Sequence, residues 1–97
     1  MANSRGKRTC HDDSVRRRAA GLKANGWKVR ADVSGYERPS TLNGSRPDID
    51  ATKGGQRRII EVETRDSRNK DKSQQKNLRD FARSKKNTQF MMRTCKE

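Results

Sequence analysis

Residues 46–64 read RPDIDATKGGQRRIIEVET, and this stretch decides the fold. Lys53-Gly54-Gly55-Gln56 is a hairpin signal, because consecutive glycines supply the positive φ angles that a two-residue loop requires. Strand-like runs flank it, Arg46 to Thr52 before and Arg57 to Thr64 after. Centring the turn on Gly54-Gly55 sets Asp48 opposite Glu61, Arg46 opposite Glu63 and Asp50 opposite Ile59. Paired residues share a sheet face, and so do alternate residues along a strand. One face then shows Arg46, Asp48, Asp50, Glu61 and Glu63. The other shows Pro47, Ile49, Ala51, Ile60 and Val62, and must look into a core.

Outward from the hairpin the pattern changes period. Val15, Ala19 and Leu22 fall on one helical face, with N-cap chemistry expected from Asp12, Asp13 and Ser14 and a stop at Asn25-Gly26. Trp27, Val29, Ala31 and Val33 alternate with Lys28, Arg30 and Asp32, a strand with one buried face, and Trp27 is read as core. Ser34 to Ser45 reads as loop with room for a short return strand, and Tyr36 there is divided between packing and base stacking. Arg65 to Ser73 is charged and expected to be mobile. Leu78, Phe81 and Ala82 mark a second helix over roughly Lys72 to Lys85, and Phe90-Met91-Met92 begins a last short strand. The expectation is an α/β fold, a central mixed sheet in the order α-β-β-β-α-β flanked by helices. It forms one domain over 12–97, behind a flexible basic arm at 1–11.

Composition bounds the function. The 97 residues carry 25 Lys and Arg against 12 Asp and Glu, a net charge of +13. Only twelve are Leu, Ile, Val or Phe, which argues against a large core, a large cavity or a multi-domain enzyme. No apolar run approaches the roughly 20 residues of a membrane span. Met1 to Lys7 has no apolar stretch, so no signal peptide is expected and the chain reads as cytoplasmic. The charge suits nucleic acid, with Arg5, Lys7 and Arg8 of the arm and Lys76, Arg79 and Arg83 of the second helix as expected contacts. So small a core makes a homodimer plausible. Cys10, Cys95 and His11 are one ligand short of a structural zinc site, and free thiols are expected ahead of a disulfide.

The acids on the hairpin need a reason. Like charges directly opposite across a strand pair cost up to about 1 kcal/mol. A hard divalent cation, Mg²⁺ or Mn²⁺, would offset that with oxygen ligands from one or two carboxylates, waters and a substrate phosphate. The competing account is structural: Glu63 pairs with Arg46, and Glu61 with a nearby arginine. The pattern alone leaves both open.

Arg46-Pro47-Asp48-Ile49-Asp50, the Gly-Gly turn and Ile59-Ile60-Glu61-Val62-Glu63-Thr64 resemble the PD-(D/E)xK, or restriction-endonuclease-like, nuclease superfamily, which includes archaeal Holliday junction resolvases. Its motif is Pro-Asp, a spacer, then an acid, any residue and usually lysine. Here twelve residues separate Asp48 from Glu61. Gly26-Trp27-Lys28-Val29 after a helix, and the closing helix and strand, also suit that group. The resemblance implies a metal-dependent endonuclease acting on DNA, as a dimer in resolvase-like members. Asp48 and Glu61 become metal ligands, and Glu63 stands in the lysine position as base, water-positioning group or third ligand. Asp50 is a reserve ligand. Lys72, Gln74, Gln75 and Lys76 are the helix residues that can face the site. A non-catalytic nucleic-acid-binding module on the same fold is the alternative, because glutamate replaces the usual lysine.

Overall fold

The computed structural model describes residues 10–64, 67 and 70–95. Helix α1 (Cys10–Ala24) leads into strand β1 (Lys28–Ala31), then β2 (Ile49–Lys53), β3 (Gln56–Glu63), helix α2 (Lys72–Arg83) and β4 (Thr88–Thr94). The strands form one mixed sheet in the spatial order β1-β2-β3-β4. β1 and β2 pair antiparallel, as do β2 and β3; β3 and β4 are parallel, with α2 as the crossover. Gly54 and Gly55 have φ of 55° and 84°, the geometry that glycine adopts without steric cost. The register pairs Asp50 with Ile59 and Ile49 with Ile60, as the turn chemistry predicts.

Several boundaries differ from the sequence reading. β2 starts at Ile49 rather than Arg46, because Pro47 has no N–H to offer a ladder. β1 is four residues long, and the return strand expected in 34–45 shrinks to a single bridge between Leu42 and Ser45. α1 already includes Cys10 and His11, which the arm was expected to hold. Asp12 and Asp13 therefore lie in its first turn, where their charges complement the helix dipole. Gly26, at φ 91°, closes α1, and the Trp27 N–H reaches back to the Leu22 carbonyl at 3.0 Å.

The sheet is covered on both faces. α1 packs Val15 and Ala19 on Ala31, Ile49, Ala51, Ile60 and Val62, with Trp27 and Tyr36 at the margin. α2 packs Leu78 and Phe81 on Ile59, Phe90 and Leu42. Ile59 is the residue that the two-face reading left out: it sits on the acid face and draws α2 over it.

Free thiols are corrected. Cys10 and Cys95 form a disulfide, S–S 2.02 Å, across a sequence separation of 85. Cys95 follows β4 and sits against the α1 side of the core, so the bond ties the first turn of α1 to the end of the sheet. No helix among the described residues is long and apolar enough to cross a membrane.

Candidate functional site

β2 and β3 part where Pro47 interrupts the ladder, and the side chains of Asp48 and Glu61 bridge the gap. The Asp48 N–H donates to Glu61 Oε2 at 3.0 Å, and the Val62 N–H donates to Asp48 Oδ2 at 2.8 Å. Each carboxylate thus satisfies a backbone donor of the opposing segment. The arrangement brings Asp48 and Glu61 to one place, on the face that α2 covers.

Burial sets the electrostatics. Glu61 is 1% exposed and Glu63 2% exposed. Burial, the adjacent Asp48 charge and the charge of Glu63 push the Glu61 carboxyl up to about 8, against the pull of hydrogen bonds from Gln74 and the Asp48 N–H. Gln74 donates from Nε2 to Glu61 Oε1 at 2.9 Å. Ser67 Oγ donates to Glu63 Oε1 at 2.6 Å, while Glu63 Oε2 is buried with no hydrogen-bond partner among the described residues. An orphaned carboxylate oxygen in a dry site is costly unless something else meets it.

His11 also enters the site. Its Nε2 lies 3.2 Å from Asp48 Oδ2, and its Nδ1 lies 3.1 Å from Asp12 Oδ1. The Asp48 hydrogen bond, opposed by burial and helped by the charges of Asp48 and Asp12, raises the imidazole to about 9. It is therefore a cation at neutral pH. The sequence carried no signal for this contact beyond the presence of His11, because it depends on α1 starting before Asp12.

The remaining expected residues divide. Gln74 faces the carboxylates. Gln75 is buried beneath α2. Lys72 and Lys76 lie on the exposed side of α2, and Lys76 pairs with Asp80 at 2.7 Å. Asp50, expected as a reserve ligand, is paired with a cation. Arg57 holds it through two bonds, Nε to Oδ1 at 2.9 Å and Nη2 to Oδ2 at 2.6 Å, and stacks on Phe81. That pairing was readable, since Arg57 is the diagonal cross-strand neighbour of Asp50. Glu63 does not pair with Arg46, whose Nη1 donates to the Pro39 carbonyl at 2.8 Å.

Cations also line two clefts whose walls include neither Asp48 nor Glu61. Lys28, Arg30, Thr52 and Arg57 line a cleft of about 270 Å³ beside Asp50, on the half of the acid face that α2 leaves open. Arg79 and Arg83 line another of about 300 Å³ with Phe90, over which Arg79 stacks. Arg5, Lys7 and Arg8 lie outside the described residues.

Among the described residues no group of three or more His, Cys, Asp and Glu side chains is gathered as the ligand set of an ion. What the cluster offers is two oxygen ligands, Asp48 and Glu61, crowded enough that one resists ionisation, with an unpartnered oxygen of Glu63 alongside. That donor set suits a hard cation held by two carboxylates and water rather than a closed protein cage. Set against known proteins, the chain matches no family model, no curated protein and no solved structure.

Proposed function

We propose that the chain is a metal-dependent endonuclease of PD-(D/E)xK type that hydrolyses DNA phosphodiester bonds. The observation that carries the reading is the buried carboxylate cluster, with Glu61 held up to about 8 and Glu63 Oε2 unpartnered in a protein of net charge +13. A restriction-endonuclease-like core is part of the proposal, supported by a mixed sheet with a helix packed on each face and the acids on its hairpin. A resolvase-like substrate, a homodimer and a cytoplasmic location belong to it too. In the cytoplasm the Cys10–Cys95 bond would face thiol reductants.

Asp48 and Glu61 would hold Mg²⁺ or Mn²⁺, which supplies Lewis-acid and water-activating chemistry when bound. The chain's own groups do the rest. The Val62 N–H and His11 fix the Asp48 carboxylate, and Gln74 fixes that of Glu61. Glu63 Oε2, without a hydrogen-bond partner among the described residues, is the group that would accept a proton from water. The cations of the adjoining cleft hold the phosphate backbone.

A non-catalytic nucleic-acid-binding module is the second reading. It is favoured by the glutamate in the lysine position and by the outward placement of Lys72 and Lys76. Cleavage of junction, duplex and single-stranded DNA with Mn²⁺ separates the two. Activity abolished by Asp48→Asn and by Glu61→Gln, with DNA binding equal or tighter, supports the nuclease. Glu63→Lys keeps or raises activity if Glu63 only fills the lysine position, and destroys it if Glu63 is a ligand. Wild-type protein inactive on all three substrates leaves the binding module.

A further inference from the structure

On the opposite side of the sheet, Arg18 of α1, Arg58 of β3 and Arg93 of β4 line one cleft of about 280 Å³. The other described residues that line it are Gly21, Leu22, Asn25, Ile60 and Met91, so no carboxylate among the described residues shares it. None of the three arginines has a carboxylate partner among the described residues. This contrasts with Arg57 and Lys76, which are both paired with acids.

Among the described residues nothing relieves this crowding. Arg18 Nε is buried and has no hydrogen-bond partner among the described residues. Burial, then repulsion from Arg93 and Arg17, lowers the Arg18 guanidinium from its ordinary value. The Arg58 guanidinium lies 4.6 Å over the ring of Trp27, which holds its plane in place while its edge N–H groups have no hydrogen-bond partner among the described residues. The Arg58 fork is held on Trp27, Arg93 Nη1 donates to the Met92 carbonyl at 3.1 Å, and the remaining guanidinium N–H groups over an apolar floor are complementary to the oxygens of a phosphate group.

We infer that Arg18, Arg58 and Arg93 form a binding site for a nucleic-acid backbone phosphate, on the sheet face opposite the carboxylate cluster. The site needs neither metal nor catalysis, so it goes beyond the nuclease reading and shares with it only the class of partner. Nucleic acid is favoured over a lipid headgroup because the apolar residues here, Leu22, Ile60 and Met91, are packed into the core and offer nothing to insert into a membrane.

Trp27 is the only tryptophan and lies under Arg58, so its fluorescence reports occupancy. The probes are inorganic phosphate, a short single-stranded oligothymidylate and phosphatidylglycerol vesicles, each titrated into metal-free full-length protein. A saturable emission change is expected with phosphate and, more tightly, with the oligonucleotide. Arg18→Gln with Arg93→Gln should weaken oligonucleotide binding about a hundredfold, or tenfold per charged contact. The charge-matched pair Lys85→Gln with Lys86→Gln should weaken it only a few-fold. Asp48→Asn, on the other face, should leave the emission change in place even if no cleavage is ever seen. Equal loss in the two double variants would overturn the site in favour of net charge alone. Vesicles binding more tightly than the oligonucleotide would overturn its assignment to nucleic acid. Thermal unfolding controls for folding, and if the double variant unfolds, Arg93→Gln against Lys86→Gln decides in the same way.

Discussion

The buried Glu61 makes stability of the metal-free protein fall as pH rises. Its carboxyl titrates near 4.5 when unfolded and near 8 in the fold. A group whose folded value is raised contributes stability that is fully present below the unfolded value and lost as pH climbs through the folded one. The window is therefore pH 4.5–8. At about 1.4 kcal/mol per unit, the loss is of order 4–5 kcal/mol, a large share of the 5–15 kcal/mol typical of a domain. His11 acts in the same direction over pH 6.5–9. With 29% of its side chain exposed, it adds about 1–2 kcal/mol once solvent screening is allowed for. Urea denaturation in a chelator at pH 5, 6.5, 8 and 9, at constant ionic strength, measures the sum. Glu61→Gln should remove the fall between pH 5 and 6.5 and leave only the smaller one over pH 6.5–9. Gln74 can turn its amide to present its oxygen to the new side chain, so the variant should fold. Stability that is flat or rising from pH 5 to 8 in the wild type would refute the argument, since Glu61 would then ionise freely in place.

Other perturbations are as definite. Reducing the Cys10–Cys95 bond, or Cys10→Ser with Cys95→Ser, should cost roughly 4–5 kcal/mol, from the chain entropy of a loop that long; equal urea midpoints with and without reductant would contradict this. Leu78→Ala, at a fully buried contact beneath α2, should cost about 2–5 kcal/mol by denaturation, whereas Lys72→Ala on the outer side should stay within about 0.5 kcal/mol. DNA affinity should fall steeply with salt, with a log–log slope of about −0.9 per duplex phosphate contacted; a flat response would mean the charge serves another purpose.

How far the sequence was legible depended on how local each cause is. The Gly54-Gly55 turn fixes the register of its own hairpin, so the neighbourhood of Asp48 and Glu61 could be read from residue numbers. Pro47 acts locally too, but its consequence, a gap bridged by two side chains, needed the opposing segment. The burial of Glu61 and Glu63 was not legible, because it depends on α2 folding back over Ile59 from across the chain. The Cys10–Cys95 pairing and the His11–Asp48 contact join the two ends of the domain, and neither has a local signature. The outward placement of Lys72 and Lys76 has a simpler reason: the apolar residues of α2 claim its inner face.

The central claim is that Asp48 and Glu61 hold a hard divalent cation. Calorimetric titration of Mn²⁺ into the protein at pH 8 tests it without reference to any substrate. The account predicts one ion per chain, with proton release as Glu61 ionises, and loss of binding in both Asp48→Asn and Glu61→Gln. No binding, or binding that survives both substitutions, would contradict it and leave the two carboxylates as the bridge between β2 and β3.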